Sequence, residues 1–329
     1  MEHLKTFLII SSITIFIDNK FIESAPTTPP ARGTVDFIKY AYNLNSSQPA
    51  YWSSPEDLVN FTIVDVDDAT EDAIRNLVSG TWDKDLVGKG DDGRNLNQTA
   101  ITVLNVKRIE NPSLFSKYNA KRKEILLSRF SGVAPDVASL AGSRGGISTT
   151  QLLSQAMKDA VYAEVNEHYF FHGTKVQYVN SLALSGFIMS YAGLGQFGRG
   201  IYGAERSTKS DQYTDATGDV QNMLLVRMTL GNIYLVNDTE KRLAIRNASL
   251  PPDVDNNGQP ANYNSVMSDF RDDVLGVFRE FIIYNETQFY PEYIIEYKRM
   301  SGTNGGSSSS TVIFSLFNFI VPLVVLNLL

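Results

Sequence analysis

The residues best suited to chemistry lie in one stretch, from Tyr169 to Thr214. It opens with three aromatic residues that predict a buried strand, and Gly173 stops that strand. His172 therefore stands at a strand end, where a side chain can face a cleft. A polar segment at 207–213 closes the stretch. The glycines before it let a loop lie very close to a ligand: Gly193, Gly195, Gly198 and Gly200.

Three short motifs, in this order, resemble the catalytic core of the poly(ADP-ribose) polymerase family. They are residues 172–174 (HGT), 197–202 (FGRGIY) and 209–213 (KSDQY). The family's third catalytic position lies on a later strand, and the strand-like residues 279–284 (REFIIY) supply Glu280 there. The resemblance covers roughly residues 55–299. It implies a His–Tyr–Glu set at His172, Tyr202 and Glu280, in which His172 matches the position that binds the adenosine ribose, a positioning role.

The resemblance implies an enzyme that cleaves nicotinamide from its substrate NAD⁺ and transfers ADP-ribose to a protein acceptor. That cleavage passes through an oxocarbenium-like ribosyl cation. Glu280 can stabilise this cation and hydrogen-bond the ribose 2′-hydroxyl. Tyr202 and Tyr213 offer aromatic faces to the cationic nicotinamide ring. The Ser210 hydroxyl and the backbone of Gly173 can hold the carboxamide, because a glycine lets the chain come close.

Two other classes of protein share parts of this pattern. One is a non-catalytic module of the same fold that binds NAD⁺ without turnover, and the presence of all three catalytic positions argues against it. The other is the group of GPI-linked ecto-ADP-ribosyltransferases that modify arginine, which carry a Glu-x-Glu pair. The residue two before Glu280 is Phe278, so that pair is absent. Whether the enzyme adds single units or builds polymer stays open.

The elements that must position these residues predict an α+β fold. Helices are expected at 68–80, 115–129, 149–165 and 176–186, and strands at 102–109, 169–171, 223–230, 233–235 and 279–284. Residues 287–295 resemble the family's last strand pair, 130–150 are an insertion, and 237–265 are a long polar loop. The resemblance implies the ADP-ribosyltransferase architecture, a mixed, largely antiparallel split sheet with flanking helices.

The composition narrows the classes of partner. The chain has 329 residues, enough for one large domain or two small ones, and a formal net charge of −7. No basic stripe is present to neutralise phosphates, so direct nucleic-acid binding is not expected. The sequence has no cysteine and only three histidines, which excludes thiolate chemistry and makes a metal site an unexpected feature.

The N-terminus predicts entry into the secretory pathway. An apolar stretch at 7–17 has the length and setting of a signal-peptide core and is short for a membrane span. We assign residues 1–24 as a signal peptide, 25–54 as a linker and N-terminal extension, and 55–300 as the catalytic domain. The alternative for the apolar stretch is an amphipathic or buried first strand.

The C-terminus predicts membrane attachment. Residues 301–310 form a Gly/Ser spacer and 311–329 an apolar tail. This order is typical of a GPI-attachment signal, with Ser301, Asn304 or Ser307 as candidate attachment residues, and would place the domain at the cell surface. A tail anchor with the domain in the cytosol is the alternative, since the tail is long enough to span a bilayer. Six Asn-x-Ser/Thr glycosylation motifs barely exceed the roughly four expected by chance and do not decide between them.

Overall fold

The computed structural model describes residues 29–44, 48–55, 60–93, 96–140, 142–255, 258–259, 261–271 and 275–300. Its helices are α1 (Val35–Asn43), α2 (Asp68–Thr81), α3 (Pro112–Leu127), α4 (Ser148–Leu152), α5 (Gln155–Ala160), α6 (Val176–Ser185), α7 (Ser207–Asp211) and α8 (Thr239–Ile245). Its strands are β1 (Thr62–Asp65), β2 (Ala100–Glu110), β3 (Glu167–Gly173), β4 (Leu194–Gly195), β5 (Gly198–Arg199), β6 (Ile201–Ala204), β7 (Gln221–Thr229), β8 (Ile233–Val236), β9 (Ser265–Ser268), β10 (Glu280–Ile283) and β11 (Phe289–Met300).

Nine of these strands form one sheet, in the order β1-β2-β11-β7-β3-β6-β10-β9-β8. All neighbours are antiparallel except β8 and β9, which are parallel. Strand β3 pairs with β7 along its whole length, but it meets β6 only at Phe171 opposite Ala204. The sheet is therefore nearly split between β3 and β6. The prediction of an α+β fold with a mixed, largely antiparallel split sheet is confirmed.

The central strands are buried on both faces, so they read as apolar runs rather than as alternating patterns. Every residue of β7 is buried. On one face Phe170 and Leu224 pack in a cluster with Val179 of α6. On the other face Tyr169 and Phe171 pack with residues of α2 and α5. Helices thus flank the sheet on both sides and fix the position of the strand that ends in His172.

The starts of two helices show how the sequence sets them. Helix α2 begins at residue 68 as expected, and it is capped by Asp67, whose side chain accepts a hydrogen bond from the N–H of Thr70 at 2.9 Å. Helix α3 begins at Pro112 rather than at 115, because proline is favoured in the first turn and Asn111 caps it.

The expected helix over 149–165 is wrong, because this segment forms the two short helices α4 and α5. Leu153 ends the first helix in an extended conformation, and Ser154 caps the second. The expected loop at 237–265 likewise contains a helix, α8, and the expected last strand pair is one long strand, β11, with a bulge at two places. The helix and strand predictions were thus correct in type and wrong in extent, whereas the loop prediction missed a helix.

The insertion at 130–150 is held against the sheet by two arginines, of which Arg279 is buried and Arg144 is exposed. The backbone N–H and the guanidinium of Arg144 both donate to Asp269, which follows β9. Arg279, beside Glu280, donates to the carbonyls of Gly145 at 2.7 Å and Gly146 at 2.8 Å. It also pairs with Glu205 at 2.7 Å. The insertion therefore supports the strand that carries Glu280.

The described residues before position 55 also contact the sheet. Arg32 pairs with Glu164 at 2.8 Å, and Tyr51 bonds to both Arg227 and Glu292 inside the core. The domain boundary at 55 stays a prediction. The apolar stretches at 7–17 and 311–329 lie outside the described residues. Within the described part of the chain, no helix has the length and apolar character needed to cross a membrane.

Burial of one core histidine should make the stability of the fold depend on pH. Burial of His168 in β3 lowers its pKa from 6.5 to about 4, and no described residue offers a hydrogen-bond partner to its buried Nε2. Between these pH values the unfolded chain binds the proton and the folded chain does not, so the free energy of unfolding falls as pH falls. We expect a loss of about 2 kcal/mol from this group between pH 7 and pH 5.

Denaturant unfolding at pH 5, 6 and 7 checks this expectation. The variant His168→Gln removes the titrating group, so its stability should change less over this range than that of the natural chain. Parallel pH profiles for the two proteins would contradict the assignment.

Candidate functional site

A pocket of about 490 Å³ opens where the sheet splits between β3 and β6. Its walls come from the end of β3, strand β6, helix α7, the glycine-rich loop at 193–200 and the start of β10. All six residues predicted from the sequence line it together: His172, Gly173, Tyr202, Ser210, Tyr213 and Glu280. The structure thus brings together six residues that are far apart in the sequence. Their individual roles stay predictions.

His172 is held in a defined orientation at the end of β3. Its Nδ1 lies 2.9 Å from the carbonyl oxygen of Tyr202, and its ring packs edge-on against Phe187 and Phe289. Because a carbonyl oxygen can only accept, Nδ1 carries the proton. Burial lowers the pKa of His172, although the bond to Tyr202 opposes this. The neutral ring therefore presents Nε2 as a hydrogen-bond acceptor, which suits a sugar hydroxyl.

Tyr202 is fixed by the glycine-rich loop. Its hydroxyl donates to the carbonyl of Gly198 at 2.7 Å and accepts from the N–H of Phe197 at 3.0 Å. A Cβ at Gly195 would overlap the same hydroxyl, so a side chain there would push the loop away. The tyrosine therefore contributes a ring face to the pocket, since its hydroxyl is already occupied with the loop.

Helix α7 brings Ser210 and Tyr213 against the end of β3. A Cβ at Gly173 would overlap the carbonyl oxygen of Ser210, so glycine is needed for this approach. Within the described part of the chain, the Ser210 hydroxyl makes no hydrogen bond to protein. Strand β6 leaves β3 after Phe171, so the edge of β3 beyond it faces the pocket.

A buried network behind α7 fixes the helix. The carboxylate of Asp211 accepts from Gln98, from the Tyr297 hydroxyl and from Arg299 at 2.9 Å. Burial raises the pKa of Asp211, while the bonds from Tyr297 and Arg299 counteract the rise. These contacts tie α7 to the C-terminal end of β11.

Glu280 lies beside a lysine that the sequence analysis quoted within a motif but gave no role. Lys209 Nζ is 3.3 Å from Glu280 Oε1 and 2.7 Å from Asp92 Oδ2. The Tyr213 hydroxyl also donates to Asp92. Burial raises the pKa of Glu280, and Lys209 limits this rise. A carboxylate held at low exposure beside a cation can respond strongly to a new positive charge in the pocket.

Asp92 was missed altogether. It comes from a segment with three glycines, at 88–93, whose sequence pattern gives no sign of a site. Two glutamines also bond to this segment. Gln196 donates to Asp91 at 2.7 Å, and Gln212 donates to the carbonyl oxygen of Lys89 at 2.8 Å. Only the folded chain shows that this segment closes one side of the pocket.

The arrangement suits a ligand with a flat cationic ring and ribose hydroxyls. Ring faces from Tyr202 and Tyr213, a hydroxyl from Ser210 and a carboxylate from Glu280 all face one cavity. Within the residues that the structure describes, no group of three or more His, Asp or Glu side chains is placed to hold a metal ion.

Comparison with known proteins agrees with the geometry. The family model "Poly(ADP-ribose) polymerase catalytic domain" matches residues 91–299. "Protein mono-ADP-ribosyltransferase PARP12" from Mus musculus is 26% identical over 156 residues, which are 47% of this chain and 20% of that protein. The Homo sapiens protein of the same name matches to the same extent. The match thus spans about a fifth of the length of these relatives.

Proposed function

Because the chain belongs to the poly(ADP-ribose) polymerase family, we propose that it cleaves the nicotinamide–ribose bond of NAD⁺ and transfers ADP-ribose to a protein acceptor. The observation that supports this most is the shared pocket. Glu280 faces the same cavity as Gly173, Ser210 and Tyr213. A carboxylate there lies next to the ribose of an NAD⁺ molecule whose nicotinamide those three residues hold.

The proposed reaction breaks one bond and forms one. The bond between the ribose C1′ and the nicotinamide nitrogen breaks, and its electron pair leaves with the nicotinamide. The ribosyl group gains oxocarbenium character, which the Glu280 carboxylate stabilises. An acceptor atom then bonds to C1′ and gives up its proton to water. Lys209 favours the ionised form of Glu280, because it lies 3.3 Å away and opposes the rise in pKa that burial causes.

The other residues position the substrate. Tyr202 and Tyr213 flank the nicotinamide ring, and the Ser210 hydroxyl with the Gly173 backbone holds its carboxamide. His172 accepts a hydrogen bond from the adenosine ribose through Nε2 and serves no proton transfer. The rigid setting of each residue supports these roles, since a substrate held near its reacting geometry loses less entropy on the way to the transition state.

The alternative is a non-catalytic module that binds NAD⁺. One experiment separates the two: purified full-length protein is incubated with labelled NAD⁺, and free ADP-ribose, single adducts and ladders are resolved. Release of nicotinamide with labelled protein supports the transferase. Saturable NAD⁺ binding without any release of nicotinamide would favour the binding module.

The nicotinamide end of the pocket can be tested by affinity. We expect Ser210→Ala and Tyr213→Ala to weaken binding of a benzamide-type nicotinamide mimic, because a hydrogen bond and a stacking face are lost. Together the two losses cost about 1–3 kcal/mol. Titration calorimetry measures this directly. Ser143→Ala, a hydroxyl of the insertion that bonds to the Gly145 carbonyl, is the matched control. Unchanged affinity in both pocket variants would place the nicotinamide elsewhere.

We also propose that the protein is attached to the outer face of a membrane by a GPI lipid. The support is the sequence alone, a signal-like stretch at 7–17 and a spacer before the apolar tail at 311–329. Phosphatidylinositol-specific phospholipase C should then release the protein from intact cells. A tail-anchored protein would resist the phospholipase and keep residues 311–329, which mass spectrometry of the mature protein detects.

A further inference from the structure

One wall of the pocket, at Arg246, carries a cation that the proposed donor site does not use. Arg246 lines the pocket, is exposed, and makes no hydrogen bond or ion pair within the described part of the chain. One turn earlier, within α8, Arg242 donates to Gln196 at 2.9 Å, while its Nε is buried with no partner among the described residues. The other lining cation, Lys209, is already paired with Glu280 and Asp92.

This wall is held firmly against the glycine-rich loop. Ile245 is buried in a cluster with Ile282 of β10 and Val266 of β9. The carbonyl of Ala248 accepts from the N–H of Arg199 at 2.8 Å. The position of Arg246 between these anchors is therefore set by the backbone rather than by a mobile surface loop.

The order of the strands sets α8 apart from the residues assigned to NAD⁺ on β3. His172 and Gly173 lie on β3, Tyr202 on β6 and Glu280 on β10, in that order across the sheet. The end of α8 packs through Ile245 over β8, β9 and β10, in a cluster that Tyr202 also contacts. Because the proposed function has His172 and Gly173 hold the adenosine ribose and the carboxamide on the β3 side, we assign the opposite, α8 side of the cavity to the molecule that receives ADP-ribose.

We propose that Arg246 binds an acidic segment of the protein acceptor at this wall, with Arg242 adding to the positive potential. The inference rests on the proposed function. A cation that no described residue pairs with, at the edge of a pocket in a chain of net charge −7, attracts anionic groups and orients them. Carboxylates flanking the modified residue would pair with the guanidinium, which binds such groups in two-point geometry.

Binding of two labelled peptides tests the proposal without any turnover. The peptides are identical apart from three flanking residues, which are all Glu or all Gln. By fluorescence anisotropy we expect the natural protein to bind the Glu peptide about fivefold more tightly. Arg246→Gln should abolish this difference. Lys241→Gln is the matched control, because Lys241 is a nearby cation in α8 that already has partners. It bonds to Asn237 at 3.1 Å and pairs with Asp238 at 3.5 Å.

Steady-state kinetics then separates the acceptor from the donor. In Arg246→Gln the KM for NAD⁺ in its hydrolysis by water should stay within about twofold, and labelling of the Glu peptide should fall. A raised KM for NAD⁺ with no effect on the peptides would assign Arg246 to the NAD⁺ diphosphate and overturn the proposal. Equal binding of both peptides by the natural protein would overturn it too. If no NAD⁺ is consumed at all, the proposed function fails, while the anisotropy result still decides the role of Arg246.

Discussion

Replacing Glu280 by Gln should lower ADP-ribose transfer by about two to three orders of magnitude while NAD⁺ affinity changes by no more than about threefold. The amide keeps the size and much of the hydrogen bonding of the carboxylate but removes the charge that stabilises the ribosyl cation. The charge matters most in the transition state, so the effect should appear in the rate and not in binding. Single-turnover release of labelled nicotinamide, with NAD⁺ binding measured in parallel, gives both quantities.

The structure indicates that this variant will fold. Lys209 would lose its ion pair with residue 280 but would keep its ion pair with Asp92 at 2.7 Å. The buried ammonium group would therefore still have an anionic partner. Glu296→Gln on β11 is a matched control, since this carboxylate is partly exposed, bonds to Asn105 and lies outside the pocket. If the Glu280→Gln variant releases nicotinamide as fast as the natural protein, the proposed role of Glu280 is wrong.

Replacing Gly173 by Ala should abolish detectable binding of a nicotinamide mimic, and it should cost about 2 kcal/mol of folding stability. The added Cβ would overlap the backbone carbonyl of Ser210 and press on Tyr213. A backbone atom cannot rotate away as a side chain can, so helix α7 must shift. That shift would misplace the Ser210 hydroxyl and the Tyr213 ring face, which we propose to hold the nicotinamide.

Gly193→Ala is the control for this effect. Gly193 lines the same pocket, but a Cβ there meets no atom within 4 Å. Thermal unfolding and calorimetric titration of both variants measure the stability and the affinity. If Gly173→Ala binds the mimic as tightly as Gly193→Ala does, the close approach of α7 to β3 is not required for the pocket.

The features that could be predicted from sequence are those that short patterns specify. Three aromatic residues stopped by Gly173 correctly predicted that His172 ends a buried strand, and the apolar spacing of α2 and α6 gave both helices. The resemblance of three motifs and one later strand to a known family then grouped six residues, and all six line one pocket. The strand and helix predictions depend on neighbours within a few positions, where local propensity and periodicity dominate, whereas the grouping depends on the family resemblance.

The features that could not be predicted depend on contacts between distant segments. Asp92 reaches the site because its loop packs on Lys209, which lies 117 residues later. Helix α8 has only seven residues and sits in a polar segment, so its periodicity is too short to detect. Likewise the insertion is shaped by Arg144 and Arg279, whose partners are backbone carbonyls and a remote aspartate that no local pattern reveals.

Between β3 and β6 the sheet is joined by one residue pair, Phe171 with Ala204. We expect amide hydrogen exchange to show two cooperative units, one on each side of this junction, with separate opening free energies. A dinucleotide that contacts Gly173 in one unit and Glu280 in the other binds only when the two are aligned. A bound dinucleotide should therefore couple the opening of the two units, because it contacts both sides of the junction between β3 and β6.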